Sequence, residues 1–538
     1  MDDPGHHVAD HNPKRSRHPG GSCAGHHADL ICALPDDLLI AILLRVGDSR
    51  TAVSTSALSR RWRRLDPARW FPAFDFSVGD HLPPQYAATL DCYRNAQQGR
   101  DDEARRALAR QVFTCEDRAM EAYVRELARF LGSPELYPAA RSLRLEFYVT
   151  PPEERHNDAA STAVGRAMAA CVASALRWPQ LERLAIYAFP RGVAAAAAAF
   201  GAHETSDPEF IEALRLTDSR LATLHVKNCL TKSGGGYGLL FPALSRLTIE
   251  TTPGVKAVFP RSYFNDLLQS CRGLVFLRLV SCNFAAGVAA LPFKLDLSPA
   301  SKLAELVLSA CNFEDVRLVN TPSLERLVIH KCDRLCLTVD IAPRLATLVC
   351  RGTAPWIYGS GTARTLRFVE LSSLNSRQSQ ERLESFFQCV PKVEVLELCF
   401  RDGWVNRFWV QPTKFPNRFE NLKKLLIHLP RMWPLRWIKK LLKNLLEAAT
   451  CLEKLHIQFF APSPGTSEEW GSTPSNGSAD DLQHNCLTQI VMEGCTWTEG
   501  QITLIRHLLS SCGALKTVLL IPHHARQGGV AYLHAHCG

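Results

Sequence analysis

A phrase of the form apolar-x-x-apolar-x-apolar recurs along this chain, with leucine at most of its apolar positions. It reads Leu181-Leu184-Ile186, Leu221-Leu224-Val226, Leu244-Leu247-Ile249, Leu274-Leu277-Leu279 and Leu303-Leu306-Leu308, and returns at irregular intervals as far as Leu515-Val518-Leu520. The last two apolar positions are two residues apart, the spacing that puts side chains on one face of a strand. Between several phrases a second pattern intervenes: residues 264–271, 383–389, 442–447 and 505–512 carry the paired apolar residues of an amphipathic helix. One such unit cannot bury its own apolar face, so successive units must stack. The fold class this predicts is α/β: an irregular solenoid of strand, turn and helical or extended return, its strands forming a curved parallel sheet.

Ahead of the repeats, residues 34–65 follow a helical period. Pro35 with Asp36 and Asp37 fits a helix start, because proline loses no hydrogen bond at the first helical position and carboxylates favour the positive end of the dipole. Leu38, Leu39, Ile42, Leu43 and Val46 then fall at three- and four-residue steps and predict one apolar stripe, which Gly47 and Asp48 end. A second helix is expected over 50–56. Val53, Leu58, Trp62 and Leu65 supply further apolar contacts, while Arg60, Arg61, Arg63 and Arg64 keep the stretch basic. Three short helices in about 40 residues bury little among themselves, so the stripe is expected to need a partner.

Composition narrows the class. A chain of 538 residues that is 46% hydrophobic and 21% charged has enough apolar residues for a large core. The first 29 residues hold six histidines and Lys14-Arg15-Ser16-Arg17 with no apolar run, which reads as a disordered tail without a signal peptide. The basic cluster has two readings, a nuclear signal or a solvated tail. No stretch has the ~20 apolar residues of a membrane-spanning helix. Nineteen cysteines, an odd number, point to reduced thiols and so to nucleus or cytoplasm. Residues 84–135, with Val112, Phe113, Ala119, Tyr123, Leu127 and Phe130 in near-helical steps, predict one or two helices capping the first repeat. Residues 461–481 read as a flexible loop inserted in a repeat.

Charge singles out one segment. Residues 401–443 hold eleven lysines and arginines against Asp402 and Glu420, a net of +9 that equals the whole chain's. Trp404, Phe408, Trp409, Trp433 and Trp437 lie among them. Arg401, Trp404, Arg407, Trp409, Lys414, Arg418, Arg431 and Arg436 are therefore candidate substrate-binding residues for an acidic or phosphorylated partner. The other reading, solvated lysines with tryptophans packed between repeats, stays open. Nucleic acid is disfavoured, since no RNA- or DNA-binding module accompanies the patch. The chain contains no phosphate-binding Gly-x-x-x-x-Gly-Lys loop, no His-Glu-x-x-His, no Gly-x-Ser-x-Gly and no Cys-x-x-Cys, so neither catalytic residues, a metal nor a cofactor is expected.

Three resemblances extend this reading. Cys229, Cys282, Cys311, Cys332 and Cys495 follow their phrases in one phase, where leucine-rich repeats place an Asn or Cys to turn the chain inward; a column of core thiols is expected there. The pattern at Leu34, Pro35, Leu38, Leu39, Ile42, Leu43, Val53, Leu58, Ser59, Trp62 and Leu65 resembles the F-box, a three-helix motif through which adaptors join cullin-RING ubiquitin ligases by binding the Skp subunit. The resemblance implies that Leu34, Pro35, Leu38, Leu39, Ile42, Leu43, Val53, Leu58 and Trp62 bind Skp. The chain departs from the F-box pattern at Val46-Gly47-Asp48, where relatives commonly carry Leu-Pro. The final repeat, from Cys495-Thr-Trp-Thr-Glu-Gly-Gln through Val518-Leu-Leu-Ile, resembles the FBD segment of plant F-box/leucine-rich-repeat proteins.

Together these give a disordered tail (1–29), an F-box (30–76), a helical linker and cap (77–139), leucine-rich repeats (140–485), an FBD-like final repeat (486–525) and a second tail (526–538). They imply a non-catalytic adaptor that links a protein substrate to Skp and, through it, to cullin and RING subunits. Two other readings stay open: a scaffold that has lost Skp, kept alive by Val46-Gly47-Asp48, and a ligand-sensing F-box receptor, against which the irregular repeats and the FBD-like end argue.

Overall fold

The computed structural model describes residues 31, 33–46, 51, 54–66, 69–97, 102–149, 159–178, 180–190, 220–228, 243–252, 258–259, 264, 268–269, 271–284, 294–332, 335–358, 365–374, 380–400, 418–430, 433, 435–460, 483–522 and 531–533. The chain divides into two compact units, Met1–Trp70 and Phe71–Gly538. No helix among the described residues is long and apolar enough to cross a membrane.

In the first unit, helix α1 (Asp36–Val46) starts one residue after Pro35, whose carbonyl accepts the amides of Leu38 and Leu39, both at 3.1 Å. A 3-10 turn (Thr55–Ala57) and a short helix α2 (Arg60–Arg64) follow. The Ser59 side chain caps α2 by accepting the Trp62 amide at 3.3 Å, which satisfies a donor left free at the helix start. Gly47, Asp48 and Val53 lie outside the described residues, so of the helix expected over 50–56 mainly the last turn is described.

The second unit is a solenoid. Its principal sheet runs through β1 (Ala73–Ser77), β2 (Ser142–Val149), β3 (Arg183–Pro190), β4 (Thr223–Lys227), β5 (Arg246–Glu250), β6 (Phe276–Val280), β7 (Glu305–Ser309), β8 (Arg326–His330), β9 (Thr347–Arg351), β10 (Phe368–Leu374), β11 (Val395–Phe400), β12 (Lys424–Pro430), β13 (Lys454–Phe460), β14 (Gln489–Cys495), β15 (Thr517–Pro522) and β16 (Ala531–Leu533). Each strand lies beside its predecessor, and every pairing is parallel except the last. The register follows the sequence phrase: Leu224, Leu247, Leu277, Leu306, Leu327 and Leu348 are aligned across β4 to β9 and buried.

Parallel neighbours need a return that crosses back over the sheet, and repeat length decides what form it takes. From β7 to β10 successive strands begin 21 residues apart. A helix rises only 1.5 Å per residue against about 3.3 Å in a strand, so a short return must be extended. These repeats return through Asp315–Leu318, Cys336–Val339 and Trp356–Tyr358, which with Lys294–Asp296 form a four-stranded sheet of their own. From β10 onward the interval grows to between 27 and 35 residues. Helices α6 (Gln380–Gln388), α7 (Leu435–Ala448) and α8 (Glu499–Ser511) return the chain there, as the apolar pairs predict. Of the helix expected over 264–271, only isolated residues are described.

Two boundaries differ from the sequence reading. The sheet begins at Ala73, inside the stretch assigned to the F-box, and residues 77–139 are less a cap than the first crossover. Helices α3 (Tyr86–Ala96) and α4 (Asp102–Leu131) carry the chain from β1 to β2, and α5 (Ala159–Leu176), packed on α4, carries it to β3. Val112, Ala119, Met120, Tyr123, Leu127 and Phe130 bury the apolar face of α4. At the other end, the segment read as a tail contains β16, which pairs antiparallel with β15.

The turn out of each strand is also periodic. Asn228, Ser281, Ala310, Lys331 and Gly352 directly follow their strands with positive φ, and each donates its amide to the last carbonyl of the next strand or its counterpart at 2.7–2.9 Å. Only glycine holds that conformation without cost, so this ladder is bought by a repeated hydrogen bond at four non-glycine positions. The cysteine column stands one residue further on. Cys282 and Cys311 donate their thiols to the carbonyls of Ile249 and Leu279 in the preceding strands, at 3.7 and 3.5 Å. Burial pushes the Cys311 thiol well up, and the Cys311 contact followed by burial does the same to Cys332. These are inert structural thiols rather than reactive ones. Cys229 lies outside the described residues.

Candidate interaction surfaces

Helix α1 is apolar on two sides. The single stripe expected from its spacing splits: Leu39 and Leu43 are buried, while Leu38 and Ile42, one residue earlier in each turn, are 51% and 45% exposed, with Leu44 beside them at 41%. Leu58 is exposed too, Pro35 is exposed and Leu34 half-buried. Trp62 and Leu65 are buried. Of the residues expected to bind Skp, then, Pro35, Leu38, Ile42 and Leu58 face solvent, Leu39, Leu43 and Trp62 are core, and Val53 lies outside the described residues. Arg61 fixes the start of α1: its guanidinium donates to Asp36 Oδ1, at 2.9 Å from Nε and 2.6 Å from Nη2, and to the Leu34 carbonyl. The basic run at 60–64 thus has a structural member, which joins α2 to the Leu-Pro turn. An outward row of large aliphatic side chains on a helix with a filled inner side is a surface that a partner can cover.

In the solenoid the candidate surfaces are the open face of the sheet and its two ends. The strand residues between the buried leucines point to the open face and align in rows across the register. Toward the C-terminal half, charged residues of neighbouring strands pair diagonally between two such rows: Arg351 with Glu370 at 2.9 Å, Glu397 with His428 at 2.9 Å, and His456 with Glu493 at 3.3 Å. Nearer the start, Tyr187 meets His225 at 2.8 Å, Lys227 meets Glu250 at 2.7 Å, and the Arg144 guanidinium lies 4.8 Å above the Tyr187 ring. Burial lowers His225. No group of three or more His, Cys, Asp or Glu among the described residues is placed to hold a metal ion.

The hydrogen bond to Glu397 raises His428 above the ordinary imidazole value, and the same bond lowers Glu397. The histidine's contribution to stability is full below its unfolded value and is lost as pH rises through the raised folded one. That of Glu397 is full above its unfolded value and is lost as pH falls through the depressed one. The pair therefore stabilises most between about pH 4.5 and 6.5, the ordinary values of the two groups. His428→Gln is expected to cost about 1 kcal/mol near the middle of that window and less in mild alkali, as read by urea unfolding. A cost that does not change with pH contradicts the pairing.

The segment read as basic and aromatic falls only partly within the described residues. Arg401, Trp404, Arg407, Trp409, Lys414 and Arg431 lie outside the described residues. Arg418 and Arg436 are exposed, and Arg436 covers the Trp437 ring at 5.8 Å. Trp433 is buried against Phe400, ring centroids 5.0 Å apart, so this tryptophan packs between repeats as the second reading held. The rows of the open face were overlooked because their residues lie apart in sequence; the signal that finds them is the residue between the last two apolar positions of each phrase together with the residue that follows the phrase.

A family model described as At1g61320/AtMIF1, LRR domain, matches residues 259–532, about half of the chain, from within the fifth repeat interval to β16. Among curated proteins, no relative matches the chain. The matched span holds the 21-residue repeats, the cysteine column and all three helical returns α6 to α8, the features that define the solenoid on its own terms. The chain therefore belongs to the At1g61320/AtMIF1 LRR domain family and is a plant leucine-rich-repeat protein with the protein-interaction role of that architecture.

Proposed function

We propose that this chain is the substrate-recognition adaptor of an SCF-type ubiquitin ligase, binding the Skp subunit through residues 30–76 and a protein substrate through its leucine-rich repeats. The observation that carries the reading is the outward apolar row of α1. Leu38 and Ile42 stand in solvent behind a Leu34-Pro35 turn pinned by Arg61, in the sequence pattern that resembles an F-box. Both are about half exposed, so burying the remainder of the two side chains in a partner supplies roughly 1.5–3 kcal/mol toward association. The ligase reading assigns the chain no active-site residue. Its role is to hold substrate lysines beside a conjugating enzyme delivered by the cullin and RING subunits, raising their effective concentration.

The same geometry predicts a reaction. In a mixture of the chain with Skp, cullin and RING subunits, a conjugating enzyme, ubiquitin, activating enzyme and ATP, exposed lysines of the adaptor itself are held near the charged conjugating enzyme. Ubiquitin is expected on the chain, and to disappear when Skp alone is omitted. Modification that does not depend on Skp, or none in the complete mixture, contradicts the proposal and favours a scaffold that has lost Skp.

A further inference from the structure

Because the sheet is parallel, all its strands from β2 to β15 begin at one end, and the turns that lead into them form a rim. Backbone hydrogen bonds set its spacing: the carbonyl just before each strand accepts two amides of the next repeat, as Glu325 does from Ala346 and Thr347, Ala346 from Arg367 and Phe368, and Arg367 from Glu394 and Val395. Counting each strand's first residue and the four before it, this rim holds fourteen lysines and arginines against six glutamates among the described residues. The residues that close the strands at the opposite end, counted likewise, are three cations against two carboxylates among the described residues. Among the described residues the rim is therefore net positive.

A groove of about 590 Å³ opens on this rim, crossing the starts of β9, β10 and β11. Arg344, Arg367 and Lys392 line it from three successive repeats, and Glu325 and Glu394 share the lining. All three cations are exposed; Arg344 and Lys392 make no ion pair among the described residues, and Arg367 reaches Glu394 only at 3.8 Å. Neighbouring strands lie about 4.8 Å apart, so the three repeats present their cations as a close row. The groove's backbone carbonyls at Glu325, Ala346, Arg367 and Glu394 are already occupied by the ladder, so recognition falls to side-chain charge rather than to main-chain pairing.

We infer that this groove is the seat of an acidic polypeptide segment, whose carboxylates meet Arg344, Arg367 and Lys392. In the proposed adaptor this segment is the substrate's, and to that extent the inference rests on the ligase reading. It moves the substrate contact from the 401–443 segment to the start of the repeats. A polypeptide suits the groove better than a nucleic acid on two counts. Glu325 and Glu394 share the lining with the cations, where phosphates at every nucleotide would meet them, and no aromatic side chain among the described residues lines the groove for bases to stack on.

The test is fluorescence polarisation of the full chain with a fluorescein-labelled peptide in which each glutamate is followed by two glycines, in parallel with a labelled poly-uridylate RNA. Wild type is expected to bind the peptide more tightly than the RNA, with affinity falling as salt rises. Arg344→Glu with Lys392→Glu is expected to weaken the peptide about tenfold or more, and Arg344→Gln with Lys392→Gln by less. Arg110→Glu with Arg506→Glu, the same charge change at exposed sites on α4 and α8, is expected to leave binding unchanged. Absence of peptide binding by wild type, equal losses in the two charge-reversed variants, or tighter binding of the RNA overturns the inference. Skp binding is read at α1, in the other unit, so failure here leaves the ligase reading standing and failure there leaves the groove standing.

Discussion

Replacing Leu38 and Ile42 together by aspartate is expected to weaken binding of a Skp subunit by about 100-fold or more, while the chain keeps its fold. Both side chains lie in solvent in the free chain, so their loss removes little packing from the native state. In the complex the same positions would be desolvated. Two aliphatic contacts are then lost and two carboxylates pressed against an apolar partner, each effect worth one to several kcal/mol. The complementary change separates binding from folding. Leu39→Ala and Leu43→Ala lie on the buried side of α1 and are expected to lower stability by roughly 2–5 kcal/mol in the first unit. Isothermal titration with circular dichroism on each variant checks both; unchanged affinity in the double aspartate variant removes α1 from the interface.

The second large effect lies in the solenoid. Gly494, in β14, has φ +78, and a Cβ there would stand 2.2 Å from the carbonyl oxygen of Phe459 in β13. The register of β14 against β15 shifts at the same place, between Glu493 and Cys495. An alanine meets two penalties at once: a left-handed backbone that costs an L-residue roughly 1–2 kcal/mol, and a clash with a main-chain atom that cannot rotate away. Gly494→Ala is expected to destabilise the chain by roughly 3 kcal/mol or more, measured by urea unfolding. Because stacked repeats rely on their neighbours, the loss should begin in β14 to β16 and register first as faster amide exchange there. Gly513→Ala is the control, since nothing lies within 4 Å of the atom it would add. A change below about 1 kcal/mol at Gly494 contradicts the strained turn.

What the sequence disclosed follows from what a local pattern can encode. Each leucine phrase from Leu181-Leu184-Ile186 onward became a strand in register, because alternate burial on a sheet leaves a period of two that needs no partner to be seen. β1 was missed although it carries the same phrase: Phe71, Phe74 and Phe76 spell it in phenylalanine, with Phe74 aligned to Leu143 and buried. β2 was missed for a like reason, Ala140 standing where leucine leads elsewhere. The strands of the second sheet, three or four residues long, are too short to show any period. On α1, spacing identified the apolar positions but not that they divide between two sides, since a helix whose apolar arc is wide reads the same whether one side or both are covered.

The candidate surfaces were less legible than the fold. A charge run such as 401–443 is visible because its members adjoin in sequence, whereas Arg344, Arg367 and Lys392 are separated by 23 and 25 residues and meet only when the repeats stack. Glu397 and His428 likewise meet only because β11 and β12 lie side by side, as diagonal neighbours across their register. In a solenoid, binding residues are spaced by the repeat, and repeat lengths that vary from 21 to 41 residues between β2 and β15 hide them from any fixed window.

The measurement that tests the account most directly is isothermal titration of the full-length chain with a purified Skp subunit. The account predicts one-to-one binding with Kd of about 1 µM or tighter, equivalent to roughly 8 kcal/mol, abolished by the double aspartate change at Leu38 and Ile42. A folded chain that releases or absorbs no heat with Skp at any temperature between 10 and about 30 °C, where the heat-capacity change of apolar burial must show itself, contradicts it.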